Sequence, residues 1–132
     1  MRFLRALTLI ALAASVLHGQ GVTGRLEGTV QDPSRATIPG ATVSVRNQET
    51  GYRAEVQTGQ AGDYIVPNLP PGQYSITVAA GGFKSAETKD VVLTVNGLTT
   101  VNFTLQVGSR AETVQVDASG QLVDTVTSSM GQ

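Results

Sequence analysis

Turn signals interrupt this sequence at short, regular intervals. They are Asp32-Pro33-Ser34, Pro39-Gly40, Thr50-Gly51, Gly59-Gln60-Ala61-Gly62, Asn68-Leu69-Pro70-Pro71-Gly72, Gly81-Gly82 and Asn96-Gly97. Strands fit between them, and no window shows sustained helical periodicity. A chain punctuated in this way is expected to be all-β, a sandwich or barrel. The residues between the turns agree, being rich in Thr, Val and Gly and poor in runs of Leu, Lys and Glu.

Seven strands are expected. The first, 24–31, puts Leu26, Gly28 and Val30 on one face. The second, 41–47, alternates Val43 and Val45 with Thr42, Ser44 and Arg46. The third, 53–58, is more polar and reads as an edge. The fourth is 63–66. The fifth, 73–80, turns Tyr74, Ile76 and Val78 inward and Ser75 and Thr77 outward. The sixth lies within 84–94. The seventh, 99–106, alternates Val101, Phe103 and Leu105 with Asn102 and Thr104. In the fourth-to-fifth connection, Pro70 and Pro71 cannot donate ladder hydrogen bonds and so stop the strand. Leu69 is expected to tuck under one end of the sandwich, and Phe83 to return to the core after Gly81-Gly82.

The first 19 residues read as a secretory signal peptide. Arg2 and Arg5 precede an apolar stretch over 6–17, and small residues follow. The stretch is shorter than the roughly 20 residues of a membrane span. Cleavage after Ser15 fits the small-x-small rule, whereas cleavage after Gly19 falls closer to the domain. Without residues 1–19 the nine basic residues lose Arg2 and Arg5. Seven remain against ten acidic ones, a formal charge of −3. No basic excess is left to bind nucleic acid through its phosphates. The chain has no Cys, so disulfides cannot hold it and packing must.

The search for chemistry gives strong negatives. His18, the only histidine, belongs to the signal segment, and no thiol exists. Cys/His zinc sites, Ser-His-Asp triads and Cys-His dyads are therefore excluded. No phosphate-cradling Gly-rich loop is present. Asp32, Asp63 and Asp90 each adjoin a turn, where an aspartate ordinarily caps or is solvated. No enzyme activity, cofactor or metal is expected. A sugar platform would need exposed aromatic rings. Tyr74 and Phe103 fall on core faces, which leaves Tyr52 as the best exposed candidate.

Several motifs occur in a fixed order: Gly28-x-Val30-x-Asp32, Ile38-Pro39-Gly40-Ala41-x-Val43, Gly62-x-Tyr64, Leu69-Pro70-Pro71-Gly72-x-Tyr74 and Gly82-Phe83. Together they resemble a carboxypeptidase-regulatory-like domain, related to transthyretin-like and collagen-adhesin B-type sandwiches, over about residues 24–105. The resemblance implies an Ig-like or transthyretin-like β-sandwich of seven strands that carries no catalytic residues. With a signal peptide before it and Val107-Gly108-Ser109-Arg110-Ala111-Glu112-Thr113-Val114-Gln115-Val116 after it, the chain is similar to the N-terminus of TonB-dependent outer-membrane receptors, the Oar-like group above all. That similarity implies an exported protein, periplasmic or associated with the outer membrane, and a fragment, since a spanning barrel needs more strands than are present. Some B-type domains join a first-strand Lys to a last-strand Asn. Asn102 is present, but the first strand offers Arg25 and no Lys, so no isopeptide bond is expected.

The expected division is therefore a signal peptide over 1–19, a sandwich over 20–107, and a linker, plug start or TonB-box-like segment over 108–132. In related receptors a short alternating segment after this domain adds a strand to the energy-transducing protein TonB, using mainly backbone hydrogen bonds. Glu112, Thr113, Val114, Gln115, Val116 and Asp117 have that character. The plainer reading of the same residues is a further structural strand or the opening strand of a plug. The expected function is a non-catalytic periplasmic accessory domain, whose partners are TonB or the rest of a receptor. The alternatives are a stand-alone secreted carbohydrate-binding or adhesive module and the regulatory domain of a secreted peptidase.

Overall fold

The computed structural model describes residues 21–116. The signal segment with His18, and Asp117 with the residues after it, lie outside the described part.

Among the described residues, nine strands form two packed sheets. They are β1 (Gly24–Gln31), β2 (Thr42–Asn47), β3 (Arg53–Gln57), β4 (Asp63–Leu69), β5 (Gly72–Ala79), β6 (Ser85–Leu93), β7 (Leu98–Thr100), β8 (Phe103–Thr104) and β9 (Thr113–Gln115). One sheet runs β4-β1-β7, with β8 also on β1; the other runs β3-β2-β5-β6-β9. Neighbours are antiparallel except at two places. β7 and β8 lie parallel to β1, and β9 lies parallel to β6. The architecture is the all-β sandwich expected. Among the described residues no helix is long and apolar enough to cross a membrane.

Period-two alternation accounts for the core. Leu26 and Val30 of β1, Val43 and Val45 of β2, and Tyr64, Val66 and Leu69 of β4 face inward. They meet Tyr74, Ile76 and Val78 of β5, Val91 and Leu93 of β6, and Val101, Phe103 and Leu105. Each fully buried aliphatic or aromatic side chain contributes about 1.5–3 kcal/mol of transfer free energy. β3 is an edge strand, as its polarity suggested. Phe83 returns to pack against the core.

Three details depart from the expected strand limits. β4 continues past Val66 to Leu69, so Leu69 is the buried last residue of a strand. Pro67 is tolerated because β4 is an edge and its register with β1 slips beside it. The seventh strand is broken at Val101-Asn102 into β7 and β8. At that break Val101 N–H still donates to Glu27 C=O at 2.9 Å, and Leu105 N–H to Gln31 C=O at 2.8 Å. Finally, β9 extends the larger sheet with residues that follow the sandwich in sequence.

Candidate functional site

The candidate segment begins at Glu112. Of its six residues the structure describes five, Glu112 to Val116. Thr113, Val114 and Gln115 form β9, in register with Ser85, Ala86 and Glu87 of β6. Ser85 N–H donates to Glu112 C=O at 2.8 Å, and Val116 N–H donates to Glu87 C=O at 2.7 Å. Side chains add three further ties. Lys84 Nζ lies 3.1 Å from Glu112 Oε2. Ser85 Oγ donates to Arg110 C=O at 2.8 Å, and Gln115 Nε2 donates to Glu87 Oε2 at 2.8 Å. Only Val116 reaches the hydrophobic core, and only in part. All three residues of β9 are exposed, with Val114 at 40%. Backbone bonds and side-chain ties thus share the docking, with little apolar burial. Alternation in the sequence marks the strand but carries no trace of Lys84, Ser85 and Glu87 as its anchors.

Elsewhere the polar side chains that could suggest chemistry hold turns. Asp32 Oδ1 accepts from Ser34 Oγ at 2.6 Å, Ser34 N at 2.8 Å and Ala36 N at 3.0 Å. The Ser34 hydroxyl above all holds the Asp32 carboxyl below its ordinary value, against an opposing desolvation, and the amides of Ala36 and Ser34 add to the lowering. Buried Asn47 accepts from the amides of Glu49 and Thr50, both at 2.9 Å. Buried Thr58 donates to Ile38 C=O at 2.6 Å and accepts from Ala41 N at 2.8 Å.

The break between β7 and β8 is spliced by side chains. Tyr64 hydroxyl donates to Val101 C=O at 2.5 Å. Asn102 Oδ1 accepts from Thr29 N at 3.0 Å and Thr29 Oγ1 at 3.2 Å. Burial pushes the Tyr64 phenol well above its ordinary pKa, so it stays a proton donor. The carboxamide of Asn102 is thereby engaged with β1.

The outer face of the larger sheet carries an open trough of about 390 Å³ lined by Ser44, Arg46, Arg53, Glu55, Thr77 and Glu87, among others. Its walls are polar and of mixed charge. Tyr52, the residue before β3, is 44% exposed. Among the described residues no group of three or more His, Cys, Asp or Glu is placed to hold a metal ion.

A family model described as the carboxypeptidase regulatory-like domain matches residues 25–106. Over 129 residues the chain is 28% identical to the TonB-dependent transporter Oar of Myxococcus xanthus. That match takes in 94% of this chain but 12% of the transporter, so the chain spans a small part of its curated relative. Among solved structures, a candidate carbohydrate-binding protein from Bacteroides uniformis superposes with a TM-score of 0.52 at 20% identity, over 64% of this chain and 42% of its own. The 3-chlorocatechol 1,2-dioxygenase of Rhodococcus opacus gives 0.51 at 15% identity, over 67% and 62%. Such different proteins share the sandwich, so these likenesses describe fold and not function.

Proposed function

Since the chain belongs to the carboxypeptidase regulatory-like domain family, we propose that it serves as a non-catalytic accessory domain of a TonB-dependent outer-membrane transporter. It is exported, lies on the periplasmic side, and stands ahead of the transporter's plug and barrel. The observation that carries this reading is the identity with Oar. It extends over 94% of the chain, past the family domain at residues 25–106 and into its flanks. The use of Asp32, Asn47, Thr58 and Tyr64 in holding the backbone also favours a positional role over a chemical one.

In this reading the sandwich is a rigid spacer. The segment from Glu112 to Asp117 is the contact for TonB, an extended run that adds a strand to the partner's sheet. Its demand on side chains is loose because main-chain groups carry the pairing. The test is a titration of the peptide 108–132 with the purified C-terminal domain of TonB, followed by amide chemical shifts. Shifts centred on Thr113 to Asp117 are expected. Their absence at saturating partner removes the segment from the proposal.

A further inference from the structure

On the outer face of the larger sheet, β2 and β3 set two arginines side by side. Arg46 and Arg53 are directly opposite each other in the antiparallel ladder, and both are exposed. Residues so paired stand with their Cβ atoms about 4.5–5.5 Å apart, and like charges there repel. Carboxylates that could relieve the pair are near but engaged elsewhere. Glu55 lies two residues along β3 on the same face, and its Oε2 accepts from Ser44 Oγ at 3.1 Å. Glu87 Oε2 accepts from Gln115 Nε2 at 2.8 Å. Arg25 and Lys84 do reach carboxylates, at 3.0 and 3.1 Å, whereas among the described residues Arg46 and Arg53 have neither an ion pair nor a side-chain hydrogen bond. A sequence that breaks a local rule in this way does so most often where a site requires it.

The two guanidiniums border the trough of about 390 Å³, a volume within the range of small-molecule sites, about 300–1,000 Å³. Planar forks of N–H donors suit a carboxylate, which two of them can grip from both sides. The rest of the lining asks for something more. Ser75 and Thr77 offer hydroxyls that can donate or accept. Glu55 and Glu87 each keep a second oxygen that can only accept, and so call for O–H donors on the ligand. Their negative charge also weighs against a dianion such as phosphate. No aromatic side chain among the described residues lines the trough, so a neutral sugar has no ring to stack on.

We infer that this trough is a binding site for a sugar acid, a single carboxylate carried on a polyhydroxylated ring. The carboxylate sits between Arg46 and Arg53, and the ring hydroxyls meet Ser75, Thr77, Glu55 and Glu87. Charge and hydrogen bonding select this ligand, without the aromatic platform that a neutral sugar needs. The site lies on the sheet face and does not depend on the reading of residues 112–117 as the TonB contact.

Titration of the whole chain with D-glucuronate, followed by backbone amide and arginine Nε–H resonances, tests the site. Saturable shifts centred on Arg46 and Arg53 are expected. D-glucose, which lacks the carboxylate, and acetate, which lacks the hydroxyls, are each expected to bind about tenfold or more weaker, as partners left unpaired require. Arg46→Gln and Arg53→Gln are each expected to lower glucuronate affinity about tenfold or more through loss of a charge-assisted contact. Neither variant should melt below the parent without ligand, because each removes a repulsion. A lower melting temperature in both would make the arginines structural and overturn the inference. So would glucose binding as tightly as glucuronate, inorganic phosphate binding more tightly, or no shift at the two arginines. Removal of residues 117–132 checks the remaining occupant, the chain's own tail. The Arg46 and Arg53 resonances are expected to stay in place, and their movement without added ligand would give the trough to the tail and overturn the site.

Discussion

At the scale of single residues, Gly28 shows how closely β1 approaches the break between β7 and β8. A Cβ built there would lie 1.8 Å from Val101 O and 2.8 Å from the Tyr64 hydroxyl. Backbone cannot yield that far, so Gly28→Ala is expected to leave no cooperative thermal transition. Tyr64→Phe keeps the ring and removes only the donor. It leaves the Val101 carbonyl unpaired and is expected to cost about 1–3 kcal/mol in chemical denaturation. Asp32 supplies a pH signature. Its folded pKa is depressed, so its contribution is complete above the unfolded value of about 3.8 and is lost as pH falls through the lower folded value. The gap in melting temperature between the parent and Asp32→Ala should therefore hold steady near neutrality and shrink below that value. A gap that widens on acidification would contradict the hydrogen bonding around Asp32.

At the scale of elements, the sequence from Asn68 to Tyr74 was legible where alternation and turn chemistry agreed. Leu69 and Tyr74 are fully buried, and Tyr74 hydroxyl donates to Pro70 C=O at 2.6 Å across the turn. Gly72 has φ 151°, and a side chain there would press on the carboxamide of Asn47 at 2.9 Å. Leu69→Asp and Tyr74→Asp are each expected to cost at least about 4 kcal/mol and to unfold the domain. Gln73→Ala and Ser75→Ala, on the outer side, should change stability by less than about 0.5 kcal/mol. Urea denaturation separates the two pairs, and a large loss at Gln73 would mean that the faces are reversed.

What stayed hidden at this scale had physical causes. The passage of β4 through Pro67 depends on that strand being an edge, which only the tertiary arrangement decides. The break at Val101-Asn102 is invisible to alternation, because Val101, Phe103 and Leu105 keep facing inward across it. The docking of β9 depends on anchors on β6, some 25 or more residues earlier in the chain. Local pattern reports faces and turns; it does not report which distant edge a short strand will meet.

At the scale of the whole molecule, β1 is held on one side by β4 and on the other by the last strands of the sandwich. The fold is thus completed only when β7 and β8 arrive with Val101, Phe103 and Leu105. A chain ending at residue 97 is expected to show no folded circular dichroism signal in the near ultraviolet. A chain ending at residue 108 keeps that core and loses only β9 and the partial burial of Val116. Its melting temperature should fall by about 4–8 °C, the shift that accompanies a loss of 1 kcal/mol in a domain of this size. A folded chain at 97 would show that β1 needs only β4.

The parallel pairing of β1 with β7 and β8 also decides how the molecule meets tension. β1 is entered from its N-terminal end, and β8 is left from its C-terminal end, so a pull between residues 24 and 104 draws neighbouring strands past each other lengthwise. The bonds at Glu27 and Gln31 then resist together and do not open one after another as a zipper does. A sandwich closed in this manner is stiff along the line joining its ends, whatever is attached to either.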